Sequence, residues 1–166
     1  KNVANYPSFL IIGAGKSGTT SLHKYLDQHP EVFMSPTKEP NFFALEGATK
    51  ISGYDIDDPH GFNHYPWAVT NLKDYQNLFS DVTSEIAIGE SSTMYQYMPD
   101  APQNIKNHIP NVKLIGIFRN PADRLYSRYL HLARESREPT ENFEDCLNKG
   151  NLWWEKYDLI QEGFYY

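Results

Sequence analysis

With 166 residues the chain has the length of one domain built around one core, and a single domain over residues 1–166 is expected. A hydrophobic fraction of 40% and an aromatic fraction of 14% suit a globular protein, and a net charge of −6 excludes a surface that attracts nucleic acid as a whole. The one cysteine, Cys146, excludes an internal disulfide, and the lack of any apolar run of about 18 residues argues against a membrane span.

Taken in order, the first element is an aliphatic run, Phe9-Leu10-Ile11-Ile12, which predicts a buried strand. It feeds a glycine-rich turn, residues 13–18. Leu22, Tyr25 and Leu26 then fall at helical spacing. Strand, glycine turn and helix start are the layout of a phosphate cradle, because close-packed backbone N–H groups and the helix N-terminus both favour an anion. The nucleotide-triphosphate loop reads G-x-x-x-x-G-K-[ST]. Gly13 and Gly18 have that spacing here, but Thr19 stands where the lysine belongs and Lys16 lies inside the loop. The expected ligand therefore carries phosphate but is not handled as ATP.

Pro30 closes the first helix. Val32-Phe33-Met34 predicts a short strand, residues 35–41 a loop, and Phe42-Phe43 a return to the core. Residues 45–66 read as an irregular excursion. Thr70 or Asn71 is the expected cap of a short helix reaching Phe79. Residues 86–89 predict a buried strand with Glu90 at its carboxyl end, and residues 99–108 a helix stopped by Pro110. The run from 112 to 118 is the strongest strand signal, ending at Arg119. Asn120 is a good N-cap with Pro121 at the first helical position. That helix is expected to reach about residue 135, with Leu125, Tyr126, Tyr129, Leu130, Leu132 and Ala133 as its apolar stripe. Thr140 can cap a last helix, ended by Gly150. Strands alternating with amphipathic helices predict a three-layer α/β/α fold with a parallel sheet, P-loop NTPase-like, whose ligand sits at the carboxyl ends of the strands.

Arg119 and Ser127 form a second anion feature, one a planar fork at a strand end and the other about two turns into the next helix. Two anion sites on one sheet edge fit a nucleotide phosphorylated at both ends. With these residues in view, the chain resembles the sulfotransferases that use 3′-phosphoadenosine 5′-phosphosulfate (PAPS). Gly15-Lys16-Ser17-Gly18-Thr19-Thr20-Ser21-Leu22 is similar to their 5′-phosphosulfate loop. Phe118-Arg119-Asn120-Pro121 with Arg124 and Ser127 resembles their 3′-phosphate motif. Lys38-Glu39-Pro40-Asn41-Phe42-Phe43 is similar to the segment with the catalytic glutamate in the heparan-type and bacterial branch, and Gly89-Glu90-Ser91-Ser92 to a further strand end.

The resemblance runs from about Ser8 to Tyr166. It departs where Ser91 and Ser92 stand in place of a basic residue. It also departs at residue 166, before a later family stretch that supplies part of the adenine and 3′-phosphate pocket. The chain, beginning at Lys1, is expected to be an excerpt of a longer polypeptide or one with its tail missing, a domain that lacks its C-terminal portion.

The resemblance implies transfer of a sulfuryl group from PAPS to an acceptor hydroxyl, most simply of a carbohydrate, without a metal. It implies a cofactor site of Gly15, Lys16, Ser17, Gly18, Thr19, Thr20, Ser21, Arg119 and Ser127. Lys16 would neutralise charge on the bridging oxygen, and Glu39 would take the acceptor's proton, with Glu90 as the reserve base. A β-hydroxyacyl group on a carrier protein is the second acceptor class.

Plainer readings stand beside these. Glu90 can be a buried glutamate paired to Lys or Arg, Ser127 can back-bond in its helix, and Arg124 with Arg128 can be a solvated face. Cys146 reads as a small buried apolar residue, and Trp153 and Trp154 as core. His60 and His64 have a metal-like spacing, but Pro59 and Gly61 argue against the helix it needs. An ATP-dependent small-molecule kinase, with residues 86–90 as its acidic strand, and a non-catalytic nucleotide-binding module are the rival functions. The lone cysteine and the lack of a visible signal peptide give a cytoplasmic expectation.

Overall fold

The computed structural model describes residues 6–48, 67–134 and 142–147. Expectations for the excursion up to residue 66 with His60 and His64, for the Thr140 cap and for Trp153 and Trp154 lie outside the described residues.

Four strands pair in parallel: β1 (Phe9–Gly13), β2 (Val32–Met34), β3 (Ala87–Ser91) and β4 (Lys113–Gly116), in the spatial order β2-β3-β1-β4. β1 is the hub. Phe9 aligns with Gly89 on one side and Lys113 on the other, so the first strand pairs with segments far along the chain. Because side chains alternate across a strand, the aliphatic run serves both faces of the sheet at once. Leu10 and Ile88 point into a core with Phe42, Phe43, Tyr75, Phe79, Met94, Tyr95 and Ile105. Phe9, Ile11 and Met34 pack on the opposite face with Leu22 and Leu26. The two separate cores make the arrangement three-layered.

Helix α1 (Thr19–Leu26) covers the second face. α2 (Phe42–Leu45), α3 (Leu72–Asn77), a 3₁₀ turn (Thr93–Gln96) and α4 (Ala101–His108) cover the first. Asn71, not Thr70, caps α3; its side chain accepts from the Asp74 N–H at 2.9 Å. α5 (Pro121–Arg134) starts as expected, with Asn120 Oδ1 accepting from Ala122 N at 3.0 Å. α5 and α6 (Phe143–Leu147) enclose a satellite cluster of Tyr129, Leu132 and the buried Cys146.

Two expectations are corrected. The strongest strand signal becomes β4, four residues long and at the edge of the described sheet, with Leu114 54% exposed. Apolar composition reports what a strand could bury, whereas position in the sheet decides what it does bury. The stripe of α5 is also rotated. Tyr126 and Leu130 are exposed, while Arg124, Tyr129 and Leu132 are buried.

Candidate active site

The glycine loop leaves the carboxyl end of β1 at the centre of the sheet. Gly13 takes φ 146°, and a Cβ there would stand 2.3 Å from Gln96 Oε1, so only glycine lets the loop lie against the 3₁₀ turn. Gly18, at φ 101°, turns the chain into α1. Lys16 is also left-handed, at φ 65°. Thr19 is buried, whereas Thr20 and Ser21 are exposed on the first turn of the helix. Ser17 Oγ is buried without a hydrogen-bond partner among the described residues. A buried hydroxyl without an acceptor is costly, and a phosphate oxygen at the helix N-terminus is an acceptor of the required kind. The loop therefore fits a phosphorylated ligand.

A second segment lies against this loop. Residues 38–43 cross the carboxyl end of β3, with Glu39 at φ 61° and Asn41 at φ 55° flanking Pro40. Left-handed backbone at Glu39 costs roughly 1–2 kcal/mol, less at asparagine. The Glu39 N–H donates to Ser91 O at 2.8 Å, and the Asn41 N–H to Ser92 Oγ at 3.0 Å. The Glu39 carboxylate accepts from Lys38 Nζ at 2.8 Å and from Thr93 Oγ1 at 3.3 Å. A Cβ placed on Gly15 would stand 3.9 Å from that same Thr93 Oγ1. One threonine hydroxyl thus lies between the acid and the glycine loop. Thr93 was not singled out from the sequence; its signal is only its position two residues past β3.

Glu90 is fully buried, facing the aromatic core rather than the crevice. Its partner is the Tyr95 hydroxyl, which donates to Oε1, and not the Lys or Arg that a buried acid usually takes. Desolvation pushes its carboxyl up to about 7, against the lowering effect of the Tyr95, Ser92 and Tyr75 hydroxyls. The placement favours Glu39 over Glu90 for a role at an open site. His23 is also buried, its Nδ1 2.9 Å from Ser91 Oγ. Burial and the charge of Lys38 hold the ring below its usual range, partly offset by Asp27.

Ala14 N donates to Ile117 O and Ile117 N to Gly13 O, both at 2.7 Å, so the segment leading to Arg119 runs beside the loop. Arg119 itself is exposed and Ser127 half-buried; no hydrogen bond joins either to the loop among the described residues. Arg124, further along this segment, reaches it, with Nη1 3.5 Å from Gly15 O and 1% exposure. Of the two readings for Arg124, a solvated face or a member of the motif after β4, its burial beside the loop excludes the solvated face. No cluster of three or more metal-ligating side chains occurs among the described residues.

Comparison with known proteins follows the same lines. The sequence profile described as "Sulfotransferase family" matches residues 7–163. The chain is 30% identical over 162 residues to the mouse bifunctional heparan sulfate N-deacetylase/N-sulfotransferase 4, covering 96% of this chain and 17% of that protein. It is 28% identical over 148 residues to the membrane-associated sulfotransferase kil1 of Dictyostelium discoideum, covering 86% of this chain and 28% of that one. It thus spans a minor part of these relatives' length. The crystal structure of a sulfotransferase from Alicyclobacillus acidocaldarius matches with a TM-score of 0.77 at 33% identity, over 95% of this chain and 62% of that chain. A parallel sheet with a phosphate-fitting loop at its hub, a profile matched nearly end to end and a solved neighbour of the same kind agree: the chain belongs to the sulfotransferase family.

Proposed function

We propose that the chain moves a sulfuryl group from PAPS to a carbohydrate hydroxyl. The observation that carries this reading is the short link from Glu39 through Thr93 to Gly15, which sets an acid beside a phosphate-fitting loop. PAPS supplies an activated sulfuryl group with adenosine 3′,5′-bisphosphate as its leaving group. The loop residues Gly15, Lys16, Ser17, Gly18, Thr19, Thr20 and Ser21 hold the 5′ end through backbone N–H groups, hydroxyls and the helix N-terminus. Arg119 and Ser127 hold the 3′-phosphate and so set the register of the donor. Lys16 offsets charge that grows on the departing oxygen. Glu39 accepts the acceptor proton. No residue role here calls for a metal.

The acceptor class rests on the heparan relatives, whose names specify N-sulfotransferase activity. An amino sugar is therefore the competing acceptor, ahead of a carrier-bound β-hydroxyacyl group. The test is calorimetry of the full-length protein with adenosine 3′,5′-bisphosphate and, separately, with magnesium-ATP. Binding of the bisphosphate but not of ATP is expected, and the reverse result favours a kinase. Sulfate transfer is then assayed on a glucosamine-containing polysaccharide, either fully N-acetylated or N-deacetylated. Transfer to the acetylated form supports a hydroxyl acceptor, and transfer only to the deacetylated form replaces it with an amine. Bisphosphate binding without transfer to any acceptor favours the non-catalytic module.

A further inference from the structure

We propose that Ser92 and Tyr95 are positioning residues, which clamp the backbone of residues 39–43 onto the end of β3 and so hold the Glu39 carboxylate beside the glycine loop. The proposal rests on the reading of Glu39 as the base. Three alternate N–H groups of the segment are taken up in turn. Glu39 N donates to Ser91 O at 2.8 Å, Asn41 N to Ser92 Oγ at 3.0 Å, and Phe43 N to the Tyr95 hydroxyl at 3.4 Å. The clamp is needed because the segment has an unfavourable backbone. Glu39 and Asn41 both lie at positive φ, and Pro40 between them has no N–H to contribute.

The clamp is rigid because its own parts are buried and tied. Ser92 is 0% and Tyr95 3% exposed, and the Tyr95 hydroxyl donates onward to the buried Glu90. Thr93, between the two, bonds the Glu39 carboxylate itself. Residues 91–95 thus grip both the backbone and the side chain of the acid. Release of residues 39–43 from this turn displaces the carboxylate from the loop while the turn itself stays packed against Gly13.

The experiment compares full-length wild type, Ser92→Ala, Tyr95→Phe and Glu39→Gln by three readouts. They are amide hydrogen exchange at Asn41 and Phe43, affinity for adenosine 3′,5′-bisphosphate, and release of that product from PAPS with the polysaccharide acceptor that serves the wild type, or with water as acceptor if neither form does. Ser92→Ala is expected to speed exchange at Asn41, and Tyr95→Phe at Phe43, while β1 amides stay protected. Both are expected to lower kcat by about tenfold to a hundredfold, as for a misplaced catalytic group, with bisphosphate affinity within about twofold of wild type. Wild-type kcat in both variants overturns the proposal. So does a loss of bisphosphate affinity matching the loss of rate, which marks general destabilisation. Should Ser92→Ala fail to fold, Tyr95→Phe carries the same test with nearly unchanged volume. If Glu39→Gln retains turnover, the reading of Glu39 as base fails. If only Glu39→Gln loses turnover, the clamp alone fails.

Discussion

Arg119 stands exposed past the end of β4, so its removal leaves no buried charge behind and its effect reports on ligand alone. Arg119→Ala is expected to weaken binding of adenosine 3′,5′-bisphosphate by about 2 kcal/mol or more, the loss of one charge-assisted anion contact. Calorimetry checks this, and unchanged affinity removes Arg119 from the site. Glu39→Gln is expected to leave that affinity intact and abolish transfer, because a neutral amide is not a base for the acceptor's proton. Lys16, Ser17 and Arg119 could be singled out in the sequence because local spacing next to a strand end marks them. His23 and Thr93 could not, and Arg124 was marked by the motif after β4 but not as a partner of Gly15. His23 meets Ser91 across 68 residues, Thr93 meets Glu39 across 54, and Arg124 meets Gly15 across 109. No local pattern encodes such partners, and helical spacing left Arg124 open between a solvated face and the anion motif.

Among the elements, β1 and α5 were legible because each carries its own punctuation: an aliphatic run ending in glycine, and asparagine before proline. Asn120→Ala removes acceptors for the N–H groups of Ala122 and Asp123 and is expected to lower stability by about 1 kcal/mol, read from denaturant midpoints. β3 offers a sharper test of packing. A Cβ on Gly89 would lie 2.1 Å from Phe9 Cζ and 2.8 Å from Met34 Sδ, in the core that α1 covers. Gly89→Ala is expected to destabilise by about 1–3 kcal/mol through overpacking, measured by urea unfolding. β4 is shorter than its apolar run from 112 to 118 suggests, because apolar residues look the same at the centre of a sheet as at its edge. Only the strand order separates the two cases, and pairing partners about a hundred residues apart leave no local trace.

For the molecule as a whole, Glu90 writes a pH signature into stability. Its carboxyl rises from an ordinary 4.5 to about 7 on folding, mainly through burial. Between those values the folded state holds more proton than the unfolded state, so stability falls as pH rises from about 4.5 to 7. Measured as wild type minus Glu90→Gln, the stability difference is expected to shrink by about 3 kcal/mol over that range. Thermal or urea unfolding at pH 5 and pH 7.5 checks this, and a flat difference overturns it. His23 acts with the opposite sign. Its lowered pKa makes stability fall as pH drops below 6.5, and the difference measurement cancels that contribution.

The order β2-β3-β1-β4 has one more consequence, for how the chain comes off the ribosome. Among the four described strands β1 is made before its two partners, which follow only when residues near 89 emerge for one side and residues near 113 for the other. The hub thus precedes both of its described partners, and closing those long loops comes before the reward of pairing with them. Nascent chains released before β4 leave Leu10 and Ile11 with one flank bare, a sticky strand that chaperones must shield.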